Sequence, residues 1–126
     1  MTRLLLVEDD GALLAALDDL LDIEGHDVTL AESAEAALDS INEMGKPVDL
    51  IVSDVIMPGI SGVEMLKRIR QLPAWVRIPC LFISASTTLR MEGEILRMER
   101  VTFMSKPFAI DDFLEKIEEL SQGEGE

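Results

Sequence analysis

Four sets of reactive side chains stand where apolar runs of this chain stop. Leu4–Val7 leads directly into Glu8, Asp9 and Asp10, and Leu50–Ser53 ends in the lone carboxylate Asp54. A third run ends in the hydroxyl of Ser84, and a fourth in Lys106 and Pro107. If these runs are neighbouring parallel strands, their ends meet at one edge of a sheet, where open α/β sheets place their ligands. Carboxylates crowded together repel one another unless positive charge lies among them. A hard divalent cation with oxygen ligands suits that role. Carboxylates, a hydroxyl and an ammonium in one place are equipment for holding a phosphoryl group.

The elements that must position these groups follow from hydrophobic period. Short β-rich runs alternate five times with amphipathic segments of helical spacing, the pattern of repeated βα units and a parallel sheet. The expected strands are Leu4–Val7, Asp27–Ala31 (short and alternating, suited to an edge), Leu50–Ser53, Ile78–Ser84 and Val101–Ser105. The expected helices are Ala12–Glu24, stopped by Gly25; Ser33 as N-cap through Met44; Val63–Gln71, ended by Leu72-Pro73; Thr88–Glu99; and Ile110–Leu120. Gly93 weakens the fourth helix by roughly 1 kcal/mol against alanine. Asp10 reads more readily as the N-cap of the first helix than as a metal ligand.

At 126 residues and 48% hydrophobic content the chain suits one folded domain. A formal charge of −14 excludes binding to a nucleic-acid backbone, which is neutralised by Lys and Arg. No apolar stretch has the length of a membrane span and no signal-peptide pattern opens the chain, so a cytoplasmic location is expected. The single Cys80 cannot form an internal disulfide and reads as core filler. The lone His26 follows Gly25 and reads as a surface or loop residue. The folded unit is expected over residues 1–121, with 122–126 as an acidic flexible tail or the start of a linker; Ser121 already has that small, polar character.

Val7-Glu8-Asp9-Asp10, Ser53-Asp54-Val55-Ile56-Met57-Pro58 with Gly62, Ile83-Ser84-Ala85 and Lys106-Pro107-Phe108 together resemble the signature set of the CheY-like receiver domains of bacterial two-component response regulators. The resemblance runs from Leu4 to about Leu120. It implies an α/β, flavodoxin-like, doubly wound (βα)5 fold with a five-stranded parallel sheet in the order 2-1-3-4-5. By the same resemblance Asp54 is the phosphoacceptor, attacking the phosphorus of a histidyl phosphate to become an acyl phosphate. Glu8 and Asp9, with the Asp54 carboxylate and the backbone carbonyl of Ile56, are the implied Mg²⁺ ligands, Asp9 directly and Glu8 through water. Lys106 is implied to contact Asp54 and then the phosphoryl group, before a cis proline. Ser84 matches the switch hydroxyl, and Phe103 the aromatic residue that turns inward when that hydroxyl moves, altering the surface of the fourth helix, fifth strand and fifth helix.

The implied function is a phosphorelay switch rather than an enzyme, catalysing only its own phosphorylation and dephosphorylation. Its implied partners are a histidine kinase or histidine phosphotransfer protein, a downstream protein or output domain, and a second copy in a phosphorylation-dependent homodimer. Ala12, Leu13 and Ala16 are expected to meet the histidine-bearing helices of the kinase. Two departures from the family pattern bear on function. Met98-Glu99-Arg100 replaces the usual Gly-Ala pair before the fifth strand, so the surface of the fourth helix is expected to be reshaped. Ile56 and Ser86 occupy the positions two after Asp54 and Ser84 that govern access of water to the acyl phosphate, and Ile56 cannot orient an attacking water.

Other classes fit less well. A haloacid-dehalogenase-like phosphatase needs an acidic residue where Ile56 stands. A flavodoxin-like cofactor module needs a phosphate loop where Glu8-Asp9-Asp10 would repel the anion. The closer rival is a receiver-like interaction module that no longer accepts phosphate, against which the complete set of Glu8, Asp9, Asp54, Ser84 and Lys106 argues.

Overall fold

The computed structural model describes residues 2–85 and 88–122. Apolar runs and amphipathic segments alternate as β1 (Arg3–Val7), α1 (Gly11–Ile23), β2 (Asp27–Ala31), α2 (Ala34–Glu43), β3 (Leu50–Asp54), α3 (Gly62–Ile69), β4 (Cys80–Ser84), α4 (Leu89–Arg97), β5 (Val101–Ser105) and α5 (Ile110–Gln122). The strands form one parallel sheet in the order β2-β1-β3-β4-β5, the expected topology.

Helix starts follow cap chemistry, at Asp10 and Ser33 as expected; the fourth helix, expected over Thr88–Glu99, is shorter, Leu89–Arg97, with Thr88 as its cap. Asp10 accepts from the backbone N–H groups of Ala12 and Leu13 at 3.0 and 3.2 Å, Ser33 caps α2 through Ala36, and Thr88 caps α4 through Met91. Gly25 takes φ = 87° just after α1, a left-handed turn that glycine enters without a Cβ penalty.

Some boundaries differ from the sequence-based expectation. β4 begins at Cys80 rather than Ile78, because Pro79 has no N–H to give a ladder; its carbonyl instead accepts from Ile51 N at 3.0 Å. Leu72-Pro73 does end α3, but Pro73 also opens a single 3₁₀ turn, Pro73–Trp75, that places Trp75 in the core. α5 runs on through Ser121 to Gln122, residues expected at the edge of the tail. Gly123–Glu126 lie outside the described residues.

β1, β3 and β4 are buried on both faces, which is why their sequences are continuously apolar rather than alternating. Alternate residues feed two separate cores. Leu5, Val7, Ile51, Cys80 and Phe82 pack with α2, α3 and α4, while Leu4, Leu6, Leu50, Val52 and Leu81 pack with α1 and α5. Cys80 is the expected core filler: it is 1% exposed, and burial pushes its thiol far above the usual cysteine range. His26 lies in the loop between α1 and β2, partly exposed. Among the described residues no helix is long and apolar enough to cross a membrane.

Candidate functional site

The parallel register brings the strand ends together. Val7 of β1 pairs with Ser53 of β3, and Asp54 pairs with Ile83 of β4, so Glu8, Asp54 and Ser84 emerge along one edge. Ser84 pairs in turn with Ser105, and its carbonyl accepts the backbone N–H of Lys106 at 2.9 Å, which anchors the lysine beside β4. The Lys106–Pro107 bond is cis, as expected.

At the centre is a branched ion pair. Lys106 Nζ lies 2.9 Å from Asp54 Oδ2 and 2.8 Å from Glu8 Oε1. The second oxygen of Glu8 accepts the Asp10 N–H at 3.0 Å, and Asp54 Oδ1 accepts the Ile56 N–H at 3.2 Å. Both carboxylates are therefore held at both oxygens. Glu8 is 1% and Asp54 7% exposed, whereas Asp9 is open to solvent. Glu8, Asp9 and Asp54 can each present one oxygen so that all three atoms lie within 4.8 Å of one another. That all-oxygen, negatively charged set fits a hard divalent cation.

Protonation follows from this crowding. Burial pushes the Glu8 carboxyl above its usual range, although the hydrogen bonds from Lys106 and the Asp10 N–H and the lysine charge all oppose it. Burial also draws the Lys106 ammonium downward, but its hydrogen bonds to Glu8 and Asp54 and their charges outweigh that, so it stays above the usual lysine range. Lys106 thus remains a fixed cation.

The loop after Asp54 is held by contacts with little sequence signal. Gly62 N donates to the Val55 carbonyl at 2.8 Å, and a Cβ at Gly62 would collide with the Asp54 carbonyl and crowd the Phe82 ring at 3.1 Å. The Ser53 hydroxyl donates to that same Asp54 carbonyl at 2.8 Å. Glu35, on α2, accepts the Ile60 N–H at 3.3 Å across 25 residues of sequence. No pattern within the chain pointed to Glu35 or to the Glu8–Lys106 pair. Gly62 stood in the recognised motif, and only the fold shows why a side chain there is excluded.

The remaining candidates flank the site. Ser84 is 3% exposed at the end of β4. Phe103, partly buried on β5 opposite Phe82, lines a small cavity of about 110 Å³ with Glu92, Ile95 and Leu96 of α4. Ile56 is 47% exposed beside Asp54, and Ser86 lies outside the described residues. Leu13 and Ala16 of α1, with Pro107, Phe108 and Ile110, line an apolar groove that reaches Lys106; Ala12 is exposed but does not line it.

Comparison with known proteins agrees with this geometry. The response regulator receiver domain family matches residues 4–118. The chain is 36% identical over 114 residues to the transcriptional regulatory protein FixJ of Bradyrhizobium diazoefficiens, covering 89% of this chain and 53% of that protein. It is 37% identical over 106 residues to the response regulator protein FleR of Pseudomonas aeruginosa, covering 84% and 22% respectively, so it spans about half or less of these relatives. Among solved structures, the receiver domain of the hybrid histidine kinase CckA superposes with a TM-score of 0.79 at 34% identity, covering 95% of this chain and 99% of that one. A CheY-like response regulator receiver domain protein from Methanospirillum hungatei gives a TM-score of 0.88 at 26% identity, covering 98% and 95%. With its sheet order in agreement with these matches, the chain belongs to the receiver domains of two-component response regulators.

Proposed function

We propose that this domain accepts a phosphoryl group on Asp54 from a phosphohistidine of a histidine kinase or phosphotransfer protein and relays its presence to a partner or output domain. The observation that carries the reading is the branched pair of Lys106 with both Asp54 and Glu8 beside Asp9. A purely structural domain gains little from burying two carboxylates against one ammonium, because their desolvation costs about as much as the pairing returns.

In this reading an Asp54 oxygen attacks phosphorus in line. The P–O bond forms as the P–N bond breaks, and the imidazole nitrogen keeps the electron pair. The Ile56 N–H and Lys106 hold the two carboxylate oxygens and so fix the plane of the nucleophile before attack. Glu8, Asp9, Asp54 and the Ile56 carbonyl are the groups that would hold Mg²⁺, which supplies charge neutralisation for the phosphoryl oxygens. Lys106 supplies a compact positive charge of its own to the same oxygens. Ser84 offers its hydroxyl to the phosphoryl group, and Phe103, beside the small cavity on α4, has room to move in response. The phosphoryl group then has different contacts in two states, which is what a partner needs in order to sense it. The groove beside Lys106 places apolar surface where a histidine-bearing helix would approach. The receiver unit is taken as residues 1–121.

Incubation with a small phosphodonor such as phosphoramidate and Mg²⁺, followed by intact-mass measurement, tests this. The expected result is the gain of one phosphoryl group, absent in Asp54→Ala and absent with chelator. No gain in the unaltered chain would favour an interaction module that has lost phosphate acceptance.

A further inference from the structure

The loop that follows Asp54 is closed at its base and tied down at its tip by different groups. At the base, Gly62 N donates to the Val55 carbonyl at 2.8 Å, so the chain between them returns on itself beside Asp54. Inside this loop the Ile56 N–H holds Asp54 Oδ1 at 3.2 Å, and the Ile56 carbonyl is the one main-chain oxygen among the implied metal ligands. A carbonyl has no rotamer with which to find a cation. It stands where the loop puts it, and the position of the loop becomes part of the metal site.

At the tip, Glu35 reaches across from α2. Its Oε2 accepts the Ile60 N–H at 3.3 Å, and the same oxygen lies against the open side of Gly59, where an added Cβ would stand 2.7 Å from it. Gly59 has φ = 83°, so glycine there both makes the left-handed turn and leaves room for the carboxylate. The start of α2 is in turn fixed to the acidic pair. Ser33 caps the helix through Ala36 at 3.0 Å, and two residues earlier the Ala31 carbonyl accepts the Glu8 N–H at 3.1 Å. Glu35 thus ties the loop that carries Ile56 to the turn that anchors Glu8. A carboxylate in the first turn of a helix is favoured by the helix dipole wherever it points. The reach to Ile60 and the fit against Gly59 do not follow from that preference.

We propose that Glu35 is a positioning residue for the metal site: by fixing the loop tip at Gly59 and Ile60 it fixes the Ile56 carbonyl, and so sets how tightly a divalent cation is held there. Removing a group that orients a metal ligand from outside the ligand set commonly costs about 10–100-fold in affinity. Glu35 is exposed and acts through the backbone between residues 56 and 60, so its effect falls at the low end of that range or below it. What matters is the acceptor oxygen rather than the negative charge. The inference rests on the reading of Asp54 as a Mg²⁺-assisted phosphoacceptor and adds to it a residue far from the strand ends. It is measured first as metal affinity, so that it stands or falls separately from phosphate acceptance.

Mg²⁺ is titrated into the full 126-residue chain, with the backbone amide resonances of Glu8–Asp10 and Ile56 as the readout. Glu35→Ala should raise the dissociation constant about three- to tenfold, whereas Glu35→Gln, which keeps an acceptor oxygen without the charge, should stay within about twofold of the unaltered chain. Both variants place a good helix former at an exposed position of α2, so both fold. In the metal-free chain the Ile60 amide proton, deshielded by the carboxylate, should move upfield in Glu35→Ala and only part of that way in Glu35→Gln. Gly59→Asn tolerates positive φ but pushes the carboxylate off the loop. It should weaken Mg²⁺ binding as Glu35→Ala does, and the two changes together should weaken it no further than either alone. Phosphorylation of Glu35→Ala by phosphoramidate should be slow at low Mg²⁺ and recover at saturating Mg²⁺. Unchanged affinity in Glu35→Ala, with Mg²⁺ still bound by the unaltered chain, would overturn the inference and leave the phosphoacceptor reading in place. Equal weakening in Glu35→Ala and Glu35→Gln would overturn it too, because charge rather than the hydrogen bond then accounts for the effect. Absence of Mg²⁺ binding by the unaltered chain would remove both readings.

Discussion

Lys106 Nζ is as close to Glu8 as to Asp54, at 2.8 and 2.9 Å, although 98 residues separate it from Glu8 in the sequence. The lysine therefore neutralises the acidic pair after β1 as well as the proposed phosphoacceptor. Lys106→Met leaves Glu8 buried without its cation and should cost about 2 kcal/mol of folding stability in urea denaturation without divalent cations. The loss should shrink in excess Mg²⁺, which binds the folded state through the same carboxylates. An identical loss with and without Mg²⁺ would show that no cation binds beside the lysine.

Gly62 tests how closely α3 must approach Asp54. Gly62→Ala puts a methyl group into the Asp54 carbonyl, so either the start of α3 or the end of β3 must shift. Overpacking of this kind should destabilise the domain by about 1–3 kcal/mol. It should also slow phosphorylation by a small-molecule donor more than the stability loss explains, because the nucleophile itself moves. Donor kinetics measured where the variant is fully folded decide the second point.

Arg100, directly before β5, has φ = 58°. A side chain in the left-handed region stores strain, while the backbone is committed: the Arg100 carbonyl accepts the Cys80 N–H at 3.0 Å at the start of β4. Arg100→Gly should raise stability by about 0.5–1 kcal/mol, and the β-branched Arg100→Val should lower it by about 1 kcal/mol or more. Chemical denaturation of the three proteins gives the order Gly, Arg, Val if strain governs.

Ile56 is half exposed at the rim of the site and offers no polar group to a water molecule. The phosphorylated domain should therefore lose its phosphate slowly, and decay within a few seconds would contradict this. Ile56→Gln should shorten the lifetime on the order of tenfold by giving water an orienting partner.

Much of this was legible in the sequence because the signals are local. Val7-Glu8-Asp9, Asp54, Ser84 and Lys106 each mark the end of an apolar run, and parallel strands of equal length bring such ends together without further information. Asp10 and Ser33 announced their helix starts by cap chemistry, whereas Thr88, read as the first residue of the fourth helix, is its cap. Relationships that cross between elements were not legible. Glu35 reaches from α2 to the Ile60 N–H in the loop before α3, and the Glu8–Lys106 pair depends on side-chain directions that no spacing encodes. The 3₁₀ turn at Pro73 was hidden because the same proline that ends one helix can open the next turn.

The sheet divides the interior so that no core residue of one side is shared with the other. The groove beside α1 and the start of α5 stands over one half, and the small cavity between α4 and Phe103 over the other. If the proposed donor contact lies on the first face and the proposed partner contact on the second, mutations can accumulate on either without repacking the other. The strand ends, where Asp54 and Lys106 meet, border both halves, so the two proposed contacts can be altered one at a time while the shared centre is kept.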